Sequence, residues 1–450
     1  MLKKRYMLLL PALLSGCTLS PQGLDRISPI PDYRETYNTR PTFAESTVGV
    51  LPIEGLRPLV TSAIKGAPAV NSAWSRVAEA DAGVTSVNAG RLPIINARAE
   101  GQVRTTDART GDTAGTVGST LTLSQDVDLI GAADLAASIA KAKLAAARFT
   151  AHQHELLVAK DVALASLNYL QCQEQHALES AAIASRMTST RHVADLAAAG
   201  FRSTSEATLA MAAEFDARAK NTGLVVECET RLMALESLAH TPRDVIKNSI
   251  SVNITPSLET DPPSIITGVQ LQQRPNVATA QALVRAAALE LQAAGMAGLP
   301  QIGLTGNIDL SQILNGGLNI PAMLGVSVTL PVFDGTKNKA KHAAALARYS
   351  SAIESYTEAV QATVLEIAQR AARLTAAKQH LTELTTSAGA YAAAFNAAEH
   401  AQRVGTYSAL DLETHRRTWI TSRLAVLQQS TEYARNLIEL NFMMTLLELE

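Results

Sequence analysis

Aromatic side chains are scarce in this 450-residue chain, at 4% of its residues. A chain of that length would ordinarily divide into two or three globular domains. The shortage of aromatics and the abundance of Ala argue instead for long helices packed at close range. Basic charge shows no excess. The formal net charge is −2, and −5 once Lys3, Lys4 and Arg5 are set aside, so there is no electrostatic footprint for nucleic acid. Nowhere do 18 apolar residues run together, which excludes a membrane-spanning helix after the N-terminal segment. The nine histidines fall in no metal-ligand spacing, and His152 and His154 sit on different faces of a helix. There is no phosphate loop, no Ser/His/Asp set and no paired carboxylate in a plausible pocket. The chain does not read as an enzyme, and no metal or dissociable cofactor is expected.

Proline and glycine are both missing from Ala132 to Ala199, and proline is missing after Pro331. A continuous helix over the first run would be about 100 Å long at about 1.5 Å per residue. Coiled coils contain such helices; globular domains normally do not. Phe149, Leu156, Ala163, Leu170, Ala177 and Ala184 recur every seventh residue, as do Leu346, Ile353, Val360, Ile367, Leu374, Leu381, Ala388 and Phe395. This spacing predicts left-handed coiled-coil packing rather than a cofactor-binding stripe. Gly200 and Gly405 interrupt the runs, and a second helical stretch follows each.

Four short segments carry a different period. Ile302, Leu304, Gly306, Ile308 and Leu310 alternate with Gln301, Gly303, Thr305, Asn307 and Asp309. Leu324, Val326, Val328 and Leu330 alternate with Met323, Gly325, Ser327 and Thr329. Weaker alternation runs from Ile95 to Arg104 and from Val117 to Val127. The expected strands are about 94–105, 117–129, 301–311 and 322–331. An apolar face and a small-polar face suit transmembrane β-strands, lipid on one side and a lumen on the other. A hairpin on a soluble core is the alternative that such segments leave open on their own.

The N-terminus, MLKKRYMLLLPALLSGC, has a basic start and an apolar stretch too short to span a bilayer, so residues 1–16 read as a secretory signal. Residues 17–55, rich in Pro and polar side chains, read as an extended tail. Beyond it the chain is duplicated. Pro68-Ala69-Val70 corresponds to Pro275-Asn276-Val277, Leu92-Pro93 to Leu299-Pro300, Gly131 to Gly335, Gly200 to Gly405 and Arg218 to Arg423. Residues 56–241 form one unit and 265–450 the other, with 242–264 as a linker. Four strands cannot close a membrane barrel, and open edges in lipid cost several kcal/mol per unpaired backbone group. Several copies must then share one barrel, and three would give twelve strands.

The signal, the duplicated unit, the Leu330-Pro-Val-Phe-Asp-Gly335 corner and the Ala198-Ala-Gly200 and Val404-Gly-Thr-Tyr-Ser-Ala-Leu-Asp411 turns resemble the TolC/OprM family of outer-membrane efflux channels. The resemblance covers residues 56 to 450. Leu14-Ser-Gly-Cys17 resembles a lipobox, which places the chain with the lipidated, OprM-like branch. It implies diacylglycerol and fatty acyl groups (palmitate) on Cys17, and Thr18 behind it resembles outer-membrane sorting. The implied assembly is a homotrimer with a twelve-stranded barrel in outer-membrane lipid and a helical tunnel through the periplasm. Its implied partners are a periplasmic membrane-fusion adaptor and an inner-membrane pump of the RND or ABC type. Small-molecule efflux is the expected role. An outlet for type I protein secretion and a non-channel periplasmic coiled-coil lipoprotein are the alternatives.

Two turns match the family's adaptor-docking tips: Ala199, Gly200 and Phe201, and Val404, Gly405 and Thr406. A plain structural reversal is the alternative. Asp411 matches the first acidic position of the family's periplasmic gate ring. The second position is Thr414 here, with Glu413 beside it, and Glu206 is the first-repeat counterpart of Asp411. Solvated acidic faces would look the same. Cys172 and Cys228 each lie 28 residues from Gly200, so an antiparallel hairpin brings them to the same height, about 42 Å from the tip. A disulfide and two buried free thiols are both open, since height does not fix facing.

Overall fold

The computed structural model describes residues 53–107, 112–252, 271–313 and 318–444. The signal, Cys17, the tail up to residue 52 and residues 253–264 of the linker lie outside the described residues.

The helices come in matched sets. In the first repeat α1 (Leu56–Gly66) and α2 (Pro68–Ala89) lead to strands β2 (Ile94–Asp107) and β3 (Asp112–Val127), then to α3 (Ala132–Ala198) and α4 (Thr204–Ala239). In the second, α6 (Pro275–Met296) leads to β5 (Gln301–Ile313), β6 (Leu318–Asn319) and β7 (Ala322–Thr329), then to α7 (Lys337–Arg403) and α8 (Ala409–Met444). Helices α2 and α6 have 22 residues each, α3 and α7 have 67, and α4 and α8 have 36. Pro68 and Pro275 occupy the first turns of α2 and α6, where the missing N–H costs nothing.

Helix α3 organises the core, touching α2, α4, α6 and α8. On α1 the buried residues Leu56, Leu59, Val60, Ala63 and Ile64 form one helical stripe. They pack with Val70, Trp74 and Val77 of α2, with α3 from Ala151 to Leu170, and with Leu232 and Leu235 of α4. The buried Trp74 indole donates to Glu155 Oε1 at 3.1 Å, so the polar end of each side chain is satisfied. Asn168 on α3 accepts from Arg231 of α4 at its backbone oxygen and from Arg435 of α8 at its side chain, both at 2.8 Å. A second cluster joins Ile367, Leu374, Ala377 and Leu381 of α7 to Tyr433, Leu437 and Leu440 of α8.

Two expectations are corrected. The heptad on α3 is buried at Leu156, Ala163 and Leu170, but Ala177 and Ala184 are exposed, and Ser185, Ser189 and Val193 are buried instead. A straight α-helix drifts about 20° per heptad, so a seven-residue stripe leaves the contact face within a few turns. The stretch after Pro242 is also more than a linker. It forms α5 (Arg243–Ser249), whose Ile246, with Ile250 four residues on, enters the main core. Strand β4 (Ser251–Val252) then pairs antiparallel with β1 (Ile53–Glu54), tying the start of the first repeat to its end.

The strands β2 (Ile94–Asp107), β3 (Asp112–Val127), β5 (Gln301–Ile313) and β7 (Ala322–Thr329) form one antiparallel sheet in the order β2–β3–β5–β7. The two-residue β6 (Leu318–Asn319) also pairs with β5. The repeats therefore meet twice, once between β3 and β5 and once along α3.

Candidate functional site

Register decides what the sheet offers. Ile95, Leu123, Gly306 and Leu324 lie in one row across the four strands, and Ala97, Leu121, Ile308 and Ala322 in another. Leu304 and Val326, then Ile302 and Val328, continue the same face. Leu324, Val326 and Val328 on the outermost strand are 73%, 72% and 66% exposed. The opposite face carries Asn96, Thr122, Asn307 and, on β7, Met323 in one row and Arg98, Thr120 and Asp309 in the next. Ser119 and Gln125 interrupt the first face and Ile94 and Met323 the second, so the faces are mainly apolar and mainly polar, and a slip of one residue in any pairing would exchange them. Among the described residues the outer edges of β2 and β7 have no strand partner.

At the opposite ends of the long helices sit the two turns. Gly200 has φ +79° and Gly405 φ +81°, the left-handed conformation that Gly adopts without Cβ strain. Phe201 N–H donates to Leu196 O at 2.8 Å and Gly200 N–H to Ala197 O at 3.1 Å. Thr406 N–H donates to Ala401 O and Gly405 N–H to Gln402 O, both at 3.0 Å. Each turn is thus a Schellman cap, its glycine at the residue after the helix end. Ala199 and Val404 are the matching end residues. Phe201 is 78% exposed and Val404 62%, so each turn presents an apolar side chain outward.

The acidic residues after the turns have a structural job that the sequence reading missed. Ser203 Oγ accepts from Glu206 N–H at 3.2 Å, and Ser408 Oγ accepts from Asp411 N–H at 3.1 Å. Ser408 also donates to Asp411 Oδ2 at 2.7 Å, and Glu206 takes a bond from Arg202 at 3.4 Å. Both helices start on Ser-x-x-acid capping signatures, a signal present in Ser203–Glu206 and Ser408–Asp411 of the sequence. Asp411 and Glu206 remain exposed, as does Thr414, whose hydroxyl donates to Leu410 O at 3.1 Å and accepts from Arg417 at 3.2 Å.

Glu413 is corrected outright. Its residue exposure is 3%, and it accepts from Ser185 of α3 and from Arg416 at 2.9 Å. Glu413 lies one residue before Thr414 and two after Asp411, and at about 100° per residue it points away from both and into the contact between the repeats. Burial and the positive charge of Arg186 both push the Arg417 guanidinium below its ordinary pKa, and Glu413 only partly offsets them. Cys172 and Cys228 are bonded in the structure, with Cα atoms 5.5 Å apart. Among the described residues no cluster of metal-ligating side chains occurs, and no helix is long and apolar enough to cross a membrane.

The outer membrane efflux protein family matches residues 59–239 and again residues 268–445, and the chain belongs to that family. It is a family of outer-membrane channels, not of enzymes. Outer membrane protein OprJ of Pseudomonas aeruginosa is 33% identical over 103 residues, a stretch that spans 22% of this chain and 21% of OprJ's length. The fold is that of solved outer membrane channels. CmeC of Campylobacter jejuni superposes with a TM-score of 0.77 at 20% identity, covering 88% of this chain and 87% of that one. The open state of MtrE from Neisseria gonorrhoeae gives 0.75 at 21% identity, covering 88% and 89%.

Proposed function

We propose that three copies of this chain close a twelve-stranded barrel in the outer membrane and act as a passive exit duct for small molecules. The observation that carries the reading is the sheet itself, with one mainly apolar face, one mainly polar face and, among the described residues, two unpaired edges. Edges in lipid leave backbone N–H and C=O groups without partners, so the fold calls for further copies. The edge strands run in opposite directions, so β7 of one copy can pair antiparallel with β2 of the next.

In this reading the helical hairpins extend into the periplasm, and Cys17 carries the lipid anchor. The turns at Gly200 and Gly405 dock a periplasmic adaptor through Phe201 and Val404, with an inner-membrane pump of the RND or ABC type beyond it. Three exposed Asp411 carboxylates at a constriction repel one another and favour cations. Membership of the outer membrane efflux protein family favours efflux over an outlet for secreted proteins. Single-channel recording of the purified protein in planar bilayers tests the core of this. Small cation-preferring currents that lose their preference in Asp411→Ala are expected. A folded protein that fails to insert into membranes would leave a periplasmic scaffold instead.

A further inference from the structure

The two hairpins match in length but not in what holds them shut. Past Cys172, α3 buries only Ser185, Ser189 and Val193, and up to Cys228, α4 buries only Glu214 and Leu224. The corresponding part of the second hairpin buries Leu381, Ala388, Ala398, Leu412 and Ile420. It also stacks Phe395 on Trp419 with ring centres 5.4 Å apart and planes within 2°. Both hairpins keep their arms in contact, but the second buries more apolar side chains beyond this level than the first.

The disulfide sits where that packing stops. Leu170 and Leu232 are the last core residues on the two arms, and Cys172 and Cys228 lie just beyond them. Aligning Gly200 with Gly405 puts Cys172 level with Ala377 and Cys228 level with Tyr433. Those two residues belong to the apolar cluster that closes the second hairpin, where Tyr433 is fully buried.

We propose that the Cys172–Cys228 bond is a maturation modification, installed by a dithiol-oxidising protein partner, that replaces in the first hairpin the packing supplied by Ala377 and Tyr433 in the second. The bond then adds a covalent tie to arms that are otherwise joined beyond it by Thr190 Oγ1 donating to Ala210 O at 3.1 Å. The inference rests on the reading that the helices stand in the periplasm, an oxidising compartment. The chemistry is thiol–disulfide exchange. One cysteine thiolate attacks the partner's disulfide and expels one of its sulfurs as a thiolate. The second cysteine thiolate attacks the mixed disulfide and releases the other. The chain loses two electrons and two protons, and the partner's disulfide becomes a dithiol. Cys172 is fully buried in the closed hairpin, so the exchange precedes the closing of α3 on α4.

Hydrogen exchange on the full-length protein purified from membranes tests this, comparing wild type, Cys172→Ser/Cys228→Ser and Cys172→Ala/Cys228→Tyr. The serine pair is expected to exchange at least tenfold faster in residues 173–227, with residues 378–432 and the strands unchanged. The Ala/Tyr pair is expected to recover part of the protection. Unchanged exchange in 173–227 overturns the proposal, as does loss of protection throughout the protein, because the bond would then be no local staple. If the serine pair is not recovered, maleimide labelling of denatured wild type decides, and free thiols at both positions overturn the proposal. Fractionation of the same cells reports the compartment separately. A chain found outside the periplasm and outer membrane fails the export reading, whereas a chain found there with free thiols fails the staple.

Discussion

Ser185 donates its hydroxyl hydrogen to Glu413, 228 residues further along the chain, and both side chains are buried. The bond joins α3 of the first repeat to α8 of the second, near the turns and far from the main core. A buried carboxylate is tolerated only when its oxygens are satisfied, and here Ser185 and Arg416 share that duty. Glu413→Ala should therefore loosen the contact between the hairpins by about 2 kcal/mol, the scale of a hydrogen bond to a charged group. Glu413→Gln, which keeps the shape and one acceptor, should cost less than half of that. Hydrogen exchange in residues 182–193 and 409–420 reads both values. A Glu413→Ala effect below about 0.5 kcal/mol, the range of ordinary surface changes, would mean that the bond carries no load.

Asp411 has two candidate jobs, a helix cap and a charge in a pore, and two variants separate them. Ser408→Ala removes the capping hydroxyl and keeps the carboxylate, at a cost of about 1 kcal/mol to the start of α8. Asp411→Asn removes the charge and keeps an oxygen acceptor. In planar bilayers Asp411→Asn should lower cation preference, and Ser408→Ala should leave it near wild type. If both shift it equally, Asp411 acts through the helix start and the ring reading fails.

Much of this was legible because helices and strands leave different periods in a chain. The proline-free run from Ala132 announced α3 to within a residue, and Leu324, Val326 and Val328 announced the exposed face of β7. Facing was harder to read than height. Cys172 and Cys228 could be placed at one level by counting from Gly200, but only packed helices show that their side chains meet. Glu413 was misplaced for a related reason. Next to Thr414, the second ring position, it looks like a substitute charge until its contact with Ser185, in the other repeat, is seen. The capping role of Asp411 and Glu206 is written in the sequence as Ser-x-x-acid, a pattern that an exposed acidic face shares.

The two faces of β7 should respond oppositely to charge. Val326→Arg puts a guanidinium on the apolar face, where it costs about 2–4 kcal/mol at the middle of a bilayer. Ser327→Arg puts the same group on the polar face, where water can solvate it. The first variant should sharply reduce the fraction of chain recovered in the outer membrane, and the second should leave it near wild type. Equal recovery of the two would mean that the Leu324–Val328 face does not meet lipid.

Acid should loosen the point where the sheet hands over to α3. Asp128 Oδ1 accepts from Ala132 N–H at 2.9 Å and Oδ2 from Ala133 N–H at 2.8 Å, capping the helix. Desolvation pushes its carboxyl pKa up. The backbone N–H groups of Ala133, Ala132, Ile130 and Gly131 together outweigh that and hold it below its ordinary value. A carboxyl depressed in the folded state contributes stability that is complete above the unfolded pKa, about 3.9. That contribution is lost as pH falls through the folded value. The first turn of α3 should therefore stay closed at neutral pH and open below about pH 4. Asp128→Ala should already be less protected at neutral pH and should change less on acidification. Amide exchange of residues 132–136, corrected for the intrinsic pH dependence of exchange, follows both. Wild type and Asp128→Ala opening in parallel as pH falls would place the acid sensitivity in some other group and leave Asp128 as an ordinary surface carboxylate.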